Sequence, residues 1–527
     1  MTKLKQFDWF YLALAIFVVA LPFSEALISV SGVLLLLVSF FQIKKQSLSQ
    51  KIASRKNLIL FSSIYLVYLI GFIFCADLKW GLYDLQKNIP YLIIPLAFLF
   101  GNQISSKQFV GLLKLFSAAV LLSAIITMVT FYLNDEKTVL NAQEFGFIHH
   151  IRFSSQLVFA IVILSVLLLS GQIKIKLPGK VTVVGAMVFL LLFLAWHQSF
   201  TGIITFLGTA FVGGILLVSQ LHTKIWRTVA WLSLALLILL PAAYLYFAVN
   251  KYYDVDKINF TQLEKETEQG NPYRHDLENT QVENGHYVGL YWCEPEMTEA
   301  WNKRASLKYN EYDEHGYQVK YTLVRYLTSR NLRKDAAGVS ELSVEDIQNI
   351  EAGISNYLLA QKGLSLYPRI YVSIWELDTY FKTGYANQQS LSQRVEYAKA
   401  ALSIIEEHFW LGVGTGNWKR AYKEAYEKIQ SKMDPARYGN AHNQYLNYMV
   451  KFGFLGLLWI LFVIIYPVVK TKVYRNPIFF LFLISMMIAN MGDSNFETHV
   501  GSSFFVLFYC LFISSLGGIR KGRNAIR

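Results

Sequence analysis

The stretch GNAHNQYLNYMVKFGFLGLL, Gly439 to Leu458, begins as a polar loop and ends as an apolar segment that continues to Val469. Its polar half contains a single histidine, His442. The spacing of its apolar residues predicts a short helix from about Ala441, ended by Gly453. The apolar run that follows is long enough to cross a membrane. This stretch therefore predicts a polar site at the mouth of a membrane-spanning helix.

Similar apolar runs occur along most of the chain. Of its 527 residues, 54% are hydrophobic and only 16% are charged, which is too apolar for a soluble protein of this length. About twelve runs fit a membrane-spanning helix, which predicts an all-α polytopic membrane protein. Their cores are 9–20, 27–41, 58–74, 91–100, 110–133, 153–169, 181–196, 203–218, 229–249, 454–469, 478–489 and 503–515.

Lysine and arginine in the short connections indicate the orientation, because they accumulate on the cytoplasmic side of a membrane. One set of connections is basic, whereas the opposite set offers only Lys79, Lys87 and Lys137. The basic set comprises Lys3, Lys5, Lys44, Lys45, Lys51, Arg55, Lys56, Lys107, Lys174, Lys176, Lys180, Lys224, Arg227, Lys470, Lys472, Arg475, Arg520, Lys521, Arg523 and Arg527.

This bias predicts a membrane protein with both termini cytoplasmic. The first apolar run could also pass for a signal peptide, but the many further spans favour a retained helix. The net charge of +13 is then explained by topology and by attraction to anionic membrane lipids, so no nucleic-acid partner is expected.

The apolar rhythm is interrupted once, which predicts three regions: spans one to nine in residues 1–249, a large extracytoplasmic loop domain in 250–453, and spans ten to twelve in 454–527. A loop of this length is usually functional. We expect one helix in it from Ser343 to a stop at Gly363. A second helix carries Arg394, off a buried stripe predicted as Val395, Ala398, Leu402 and Ile405.

Two motifs in this loop suggest ligand binding but lack the required context. Gly412, Gly414 and Gly416 in LGVGTGNW imitate part of a phosphate-binding fingerprint, yet no strand and helix of a nucleotide-binding unit surround them. We interpret this run as a tight turn. Asp254 and Asp256 could hold a cation, but two carboxylates are too few oxygen ligands on their own, and a solvated turn is the alternative.

Three basic residues are better candidates for chemistry. Arg152 lies at the mouth of the sixth span, where an ionisable residue suggests function, with snorkelling to lipid headgroups as the alternative. Arg394 could instead be simply solvated, and His442 could merely anchor or cap a helix. Their order along the chain is what makes them informative.

From Ser392 to Leu458 the chain runs SQRVEYAKAALSIIEEHFWLGVGTGNW, then a variable segment, then NAHNQYLNYMVKFGFLGLL. This order of an arginine-bearing helix, a GVG turn and a histidine-asparagine motif before a membrane helix resembles the O-antigen ligase and O-antigen polymerase superfamily. The loop also looks like the enlarged loop of its Bacteroidota branch. The plan of about twelve spans with a long loop between the ninth and tenth agrees with that family.

The resemblance implies a C-type glycosyltransferase fold and a metal-independent inverting transfer without a cofactor. The donor would be a glycan on undecaprenyl diphosphate, and the site would face the periplasm. His442 would be the base that activates an acceptor hydroxyl, while Arg394 and Arg152 would hold the diphosphate. Supporting roles would fall to Asn443, Asp493, Glu497 and His197.

One position departs from the family pattern. The family commonly carries an arginine after a serine following the seventh span, where this chain reads AWHQSFTGIITF and places Phe200. Arg152 or His197 could supply the missing positive charge, or activity could be weakened. We favour Arg152.

The leading hypothesis is ligation of O-antigen or a similar polysaccharide to lipid A core in lipopolysaccharide biosynthesis. An O-antigen polymerase and a protein O-oligosaccharyltransferase are alternatives within the superfamily, since the sequence does not identify the acceptor. A flippase or transporter is a more distant alternative, which the nearly charge-free span centres disfavour. An assembly protein would leave His442 dispensable.

Overall fold

The computed structural model describes residues 8–41, 48–134, 145–170, 177–313, 316–361 and 365–516. Several residues used above lie outside these ranges, namely Lys3, Lys5, Lys44, Lys45, Lys137, Lys174, Lys176, Gly363, Arg520, Lys521, Arg523 and Arg527. The chain divides into two compact units. Unit 1 spans residues 1–133, 143–237 and 376–527, and unit 2 spans 134–142 and 238–375.

Unit 1 is a helical bundle. It also includes residues 376–453, which were predicted as part of the loop domain. Its first helices are α1 (Trp9–Ala20), α2 (Glu25–Phe41), α3 (Leu48–Ser54), α4 (Lys56–Ile73), α5 (Leu78–Asn88), α6 (Pro90–Phe100), α7 (Ser106–Leu133), α8 (His150–Leu169), α9 (Leu177–Trp196) and α10 (Phe200–Val218), and α11 (Lys224–Tyr253) leads into unit 2.

Unit 2 begins within α11 and contains one two-stranded sheet and small helices. They are β1 (Val282–Glu283), β2 (His286–Tyr287), α12 (Glu294–Arg304), α13 (Val319–Ser329), α14 (Ala336–Ser340), α15 (Val344–Glu351) and α16 (Tyr357–Ala360), after which α17 (Tyr367–Thr383) leads back to unit 1. The remaining helices are α18 (Ser390–Glu407), α19 (Trp418–Lys428), α20 (Gln444–Thr471), α21 (Pro477–Gly492) and α22 (His499–Leu516).

Within the described ranges, seven helices are long and apolar enough to cross a membrane: α4, α7, α8, α9, α10, α11 and α20. Shorter apolar helices accompany them at α1, α2, α21 and α22. The chain is therefore a polytopic helical membrane protein, and the number of about twelve spans stays a prediction.

Helix α20 is broken at Gly453, whose φ is 62°. The glycine run fills this break with backbone: Val413 and Gly414 donate to the carbonyls of Val450 and Lys451 at 2.8 Å. On the other side of the break, the N–H of Phe454 donates to the carbonyl of Phe409 at 2.7 Å. Non-helical backbone in an apolar setting needs such internal partners. The glycine run is thus a turn, as predicted, and it completes the broken helix.

Unit 2 has its own core, formed around Trp301, Leu323, Leu327 and Ile350, which are fully buried. Its hairpin turns at Asn284 and Gly285, both with positive φ, which is the residue pair preferred by the tightest hairpin turns. Part of the predicted loop domain therefore packs on itself.

Two predicted helices differ from those observed. The Ser343 helix has the predicted capping box with Asp346, but it ends at Glu351 and a separate helix follows. The Arg394 helix exists as α18, and of the predicted buried stripe Ile405 is buried and Val395 is partly buried, but Leu402 is 51% exposed. The buried face also carries Tyr397, Ala400, Ala401 and Ile404, which were not predicted.

Candidate active site

Unit 1 contains a cavity of about 640 Å³ at the mouth of the helical bundle. Segments that are distant in sequence line it: the start of α2, the end of α5, the start of α8, the loop before α20 and the loop between α21 and α22. Its acidic, basic and histidine lining residues are Glu25, Lys87, His149, Arg152, His442, Asp493, Glu497 and His499. The cavity is polar enough to bind a charged, hydroxyl-rich ligand.

His442 lies immediately before α20 rather than inside a helix, because Asn443 is the N-cap of α20. The Nδ1 atom of His442 lies 3.0 Å from Oδ1 of Asp493, and the Tyr397 ring stacks on the imidazole with centroids 5.6 Å apart. The His442 side chain is 41% exposed, whereas that of Asp493 is 3% exposed. The ring is therefore fixed from one side and open to the cavity on the other.

Asp493 is the centre of the arrangement. Its Oδ2 forms an ion pair with Nη1 of Arg152 at 2.8 Å, and its Oδ1 also accepts from the backbone N–H of Ser494 at 2.8 Å. Burial alone would raise the pKa of this carboxyl, but His442 and Arg152 together hold it well below its usual range. An ionised Asp493 accepts a hydrogen bond from Nδ1–H of His442, which leaves Nε2 as the acceptor nitrogen of a neutral imidazole.

Arg152 lies in the first turn of α8 and faces the cavity, with 14% of its side chain exposed. Its Nη1 also approaches Nδ1 of His149 at 3.1 Å, and Nε donates to the Thr498 hydroxyl at 3.4 Å. Burial and the Arg152 charge lower the pKa of His149, so this ring favours its neutral form. Arg152 is thus placed by several partners.

Arg394 and Asn443 stand beside this group rather than in the cavity wall. Nη1 of Arg394 donates to the Gly492 carbonyl at 3.2 Å, one residue before Asp493, but Arg394 is not among the described residues that line the cavity. Asn443 caps α20 through its Oδ1 and donates from Nδ2 to the Met491 carbonyl at 3.0 Å. Both residues tie the α18 and α20 segments to the loop that carries Asp493.

Glu497 has different partners from Asp493. Its Oε1 accepts from Nζ of Lys451 at 2.9 Å and from the Tyr68 hydroxyl at 3.0 Å. Nζ of Lys451 also donates to both carboxylate oxygens of Asp84 at 3.2 Å. Glu497 therefore belongs to a buried network of lysine and carboxylate groups that adjoins the cavity, rather than to the group around Asp493.

The two positions weighed for the missing arginine also differ in their surroundings. His197 is 1% exposed, and burial lowers its pKa to about 4, so its ring is neutral at pH 7 and supplies no positive charge. Phe200 begins α10, whose cap residue Ser199 donates from its hydroxyl to that of Ser154 at 3.2 Å. The start of α8, which carries Arg152, therefore lies next to the start of α10, where Phe200 stands.

The predicted aspartate pair lies in unit 2, apart from this group of residues in sequence. Oδ2 of Asp256 is 2.6 Å from Nδ1 of His286, so one of the two carboxylates already has a side-chain partner. Within the described ranges, three or more histidine, cysteine or acidic side chains nowhere gather as a metal site would require. No metal role is assigned to Asp254 or Asp256.

Three contributors escaped the sequence reasoning. Tyr397 stacks on His442, and the Tyr422 hydroxyl accepts from the N–H of Ala441 at 2.9 Å and so holds the residue before the histidine. Lys87 lines the cavity from α5. The tyrosine spacing in VEYAKAA and RAYKEAY is the signal that could have indicated two buried helix faces, but no local signal links Lys87 to His442.

Comparison with known proteins identifies a family for part of this chain. Residues 343–463 match the family model described as O-antigen ligase, a range that includes Arg394, the glycine run and His442. No curated protein matches the chain. The resemblance stated from the sequence is therefore confirmed by a domain that contains the candidate base and ends in α20.

Proposed function

For this member of the O-antigen ligase family, a membrane enzyme of the ligase or polymerase type, we propose transfer of a glycan from undecaprenyl diphosphate to the hydroxyl of lipid A core. The observation that carries the proposal is the convergence of His442, Asp493 and Arg152 on one polar cavity of about 640 Å³. The reaction needs a base for a hydroxyl and a cation for a diphosphate, and this cavity offers both.

The chemistry follows from the pairings. Asp493 accepts the Nδ1–H of His442, so Nε2 is free to take the proton of the acceptor hydroxyl as its oxygen attacks the anomeric carbon. The new carbon–oxygen bond forms as the bond from that carbon to the phosphate oxygen breaks, and undecaprenyl diphosphate leaves with the electron pair. Attack from the face opposite the leaving group inverts the anomeric configuration.

Arg152 is proposed to stabilise the charge that develops on the leaving diphosphate. Its guanidinium has several donors, of which Asp493 and Thr498 use only part, and a low-dielectric wall strengthens each hydrogen bond to an anion. Arg394 is proposed as a second, outer cation that reaches the donor when it is bound, since its hydrogen bond to a single backbone carbonyl leaves most of its donors available.

A polymerase that extends another lipid-linked repeat and a protein O-oligosaccharyltransferase remain alternatives. They share the donor and the base, and they differ only in the acceptor. We propose that the cavity faces the periplasm of a bacterial inner membrane, where lipid A core and lipid-linked glycans are both present.

Replacement of His442 by alanine in a deletion strain tests the function. We expect bare lipid A core on a gel of surface polysaccharide and full-length lipid-linked glycan by mass spectrometry. His408→Ala is the matched control, because His408 is an exposed histidine at the end of α18.

The same strain separates the alternatives. Single repeats on core in the His442 variant would indicate a polymerase, and glycan missing from a protein with intact lipopolysaccharide would indicate the protein acceptor. Normal glycans in a well-expressed His442→Ala strain would overturn the proposed mechanism in all three forms. Arg152→Ala should follow His442→Ala, with Arg420→Ala as the exposed arginine control.

A further inference from the structure

Lys87 is a partly buried cation that lines the same cavity as Arg152. Its side chain is 15% exposed, and Nζ lies 2.9 Å from Oδ1 of Asp84 and near the ring faces of Tyr83 and Trp418. Arg152 and Lys87 are the two lysine or arginine residues among the described residues that line the cavity. A diphosphate carries two phosphate groups, and each is best stabilised by a cation within hydrogen-bonding distance.

The ion pair with Asp84 fixes the position of the Lys87 side chain. Its partner Asp84 is fully buried and is shared with Lys451, and it accepts from the indole N–H of Trp418 at 3.0 Å. Because Asp84 divides its charge between two lysines, it does not fully compensate either of them. Burial and the nearby Lys451 charge lower the pKa of Lys87. An anion bound in the cavity would favour the protonated lysine and so raise this pKa again.

Glu497 presents the second unusual group in this wall. Its side chain is 2% exposed, Lys451 and Tyr68 both bind Oε1, and Oε2 has no hydrogen-bond partner among the described residues. A buried carboxylate oxygen without a partner is costly and calls for an explanation. Glu497 lines the cavity, so a ligand is the natural donor to Oε2.

We propose that Lys87 and Glu497 form the subsite for the head of the donor. Nζ of Lys87 binds the second phosphate of the lipid diphosphate, and Oε2 of Glu497 accepts a hydrogen bond from a hydroxyl or N–H group of the first sugar. The subsite rests on the proposed function, and it adds a lysine and a sugar-contacting carboxylate to the donor site.

Binding to the purified full-length protein in lipid nanodiscs tests both halves. The probes are undecaprenyl phosphate, undecaprenyl diphosphate and undecaprenyl diphosphate carrying one N-acetylglucosamine. We expect Lys87→Met to weaken diphosphate binding about 10-fold or more, with a smaller effect on the monophosphate. We expect Glu497→Gln to reduce the gain in affinity that the sugar provides, measured as the ratio of the variant's own affinities for the diphosphate with and without the sugar.

Lys419→Met is the matched control, because Lys419 lies over the Trp80 ring and does not line the cavity. If a variant fails to fold, footprinting of the wild-type protein replaces it: acetylation of Lys87, read by mass spectrometry, should be blocked more strongly by undecaprenyl diphosphate than by the monophosphate. Equal acetylation with and without the diphosphate would overturn the Lys87 assignment.

An unchanged sugar-dependent gain in Glu497→Gln would overturn the Glu497 assignment. These measurements need no acceptor, so they can succeed even if the His442 experiment contradicts glycan transfer to core. Conversely, transfer that depends on His442 together with an unprotected Lys87 would retain the proposed function and remove the subsite.

Discussion

The carboxylate of Asp493 decides what His442 can do. In the proposed mechanism, an ionised Asp493 keeps the imidazole proton on Nδ1, so that Nε2 can act as the base toward the acceptor. An asparagine has nearly the same shape but can present its N–H₂ group to Nδ1, which favours the opposite tautomer. The same change also removes the charge partner of Arg152.

Asp493→Asn should therefore lower the transfer rate about 10²- to 10⁴-fold, the range expected when general-base catalysis is lost. The rate should be measured with purified full-length protein and a lipid-linked donor. Glu424→Gln is the matched control, since Glu424 is an exposed carboxylate on α19. A rate within a few-fold of wild type would show that His442 does not depend on Asp493.

His197 leads to a prediction about stability and pH. Its folded-state pKa of about 4 lies below the usual 6.5, so the unfolded chain binds more protons between these values. The stability contributed by the neutral buried ring is fully present above pH 6.5 and is lost as the pH falls towards 4. The full effect is about 3 kcal/mol.

We expect the melting temperature of the purified protein to fall between pH 7.5 and pH 5, and to fall less in His197→Phe. His408→Ala serves as the control, because its ring is exposed. An identical acid-induced decrease in wild type and His197→Phe would contradict the assignment of a buried neutral imidazole.

At the residue level, the resemblance predicted roles for His442 and Asp493, and the position of an ionisable residue at the mouth of a span predicted one for Arg152, whereas Lys87 and Tyr397 were missed. The first three residues carry a local signal, either a motif or a charge beside an apolar run. Lys87 reaches the cavity through the packing of α5 against segments more than 300 residues away, as its neighbour Asp84 shows by bonding Lys451. No local period in the sequence encodes such a contact.

Among the elements, α18 shows why a correct helix can have an incorrectly predicted face. Its apolar residues suggest one stripe, but the helix packs against both α19 and α20. The buried side is then chosen by two partners, so Tyr397 and Ala401 turn inward and Leu402 outward. The end of the Ser343 helix was missed for a similar reason, since Gly353 adopts a positive φ well before Gly363.

The glycine run gives a prediction at the same scale. A Cβ on Gly412 would lie 2.5 Å from the backbone of Lys451 and Phe452, and φ of Gly412 is +66°. Gly412→Ala must therefore push the turn out of the break in α20, with a cost of roughly 1–3 kcal/mol from the backbone conformation alone.

Thermal unfolding of the detergent-purified variant should show a lower midpoint, together with lost transfer activity. Gly185→Ala is the matched control, because a Cβ at Gly185 in α9 meets nothing within 4 Å. This control should be neutral or slightly stabilising. A Gly412→Ala protein as stable as Gly185→Ala would contradict the role of the run as a backbone wedge.

For the whole molecule, composition was enough to predict a helical membrane protein, because long uncharged apolar runs have few other solutions. The division into units was harder to predict. The predicted loop domain covers residues 250–453, but residues 376–453 cluster with the bundle, since α18 and the glycine run pack on membrane helices. Hydropathy predicts where a membrane span ends. It does not predict which parts of the following polar segment pack against the membrane helices.

The orientation of the protein in the membrane depends on which end of unit 1 carries the basic connections. Nε2 of Gln108 at the start of α7 donates to Asp8 at the start of α1, and Lys51 donates to the Phe100 carbonyl at the end of α6. These basic and terminal segments thus share one end of unit 1. Helix α7 has 28 residues, enough to cross a membrane, and α8 then begins at the cavity.

The positive-inside rule assigns the basic end to the cytoplasm, so the cavity should face the periplasm. In a variant with Cys75, Cys293 and Cys510 replaced by serine, a membrane-impermeant maleimide should label Glu424→Cys in intact spheroplasts. Lys224→Cys should be labelled only after lysis, because it lies in a basic connection of the predicted cytoplasmic side. Reversed labelling would place His442 in the cytoplasm, where a periplasmic transfer to lipid A core is impossible, and would overturn the proposed topology and function together.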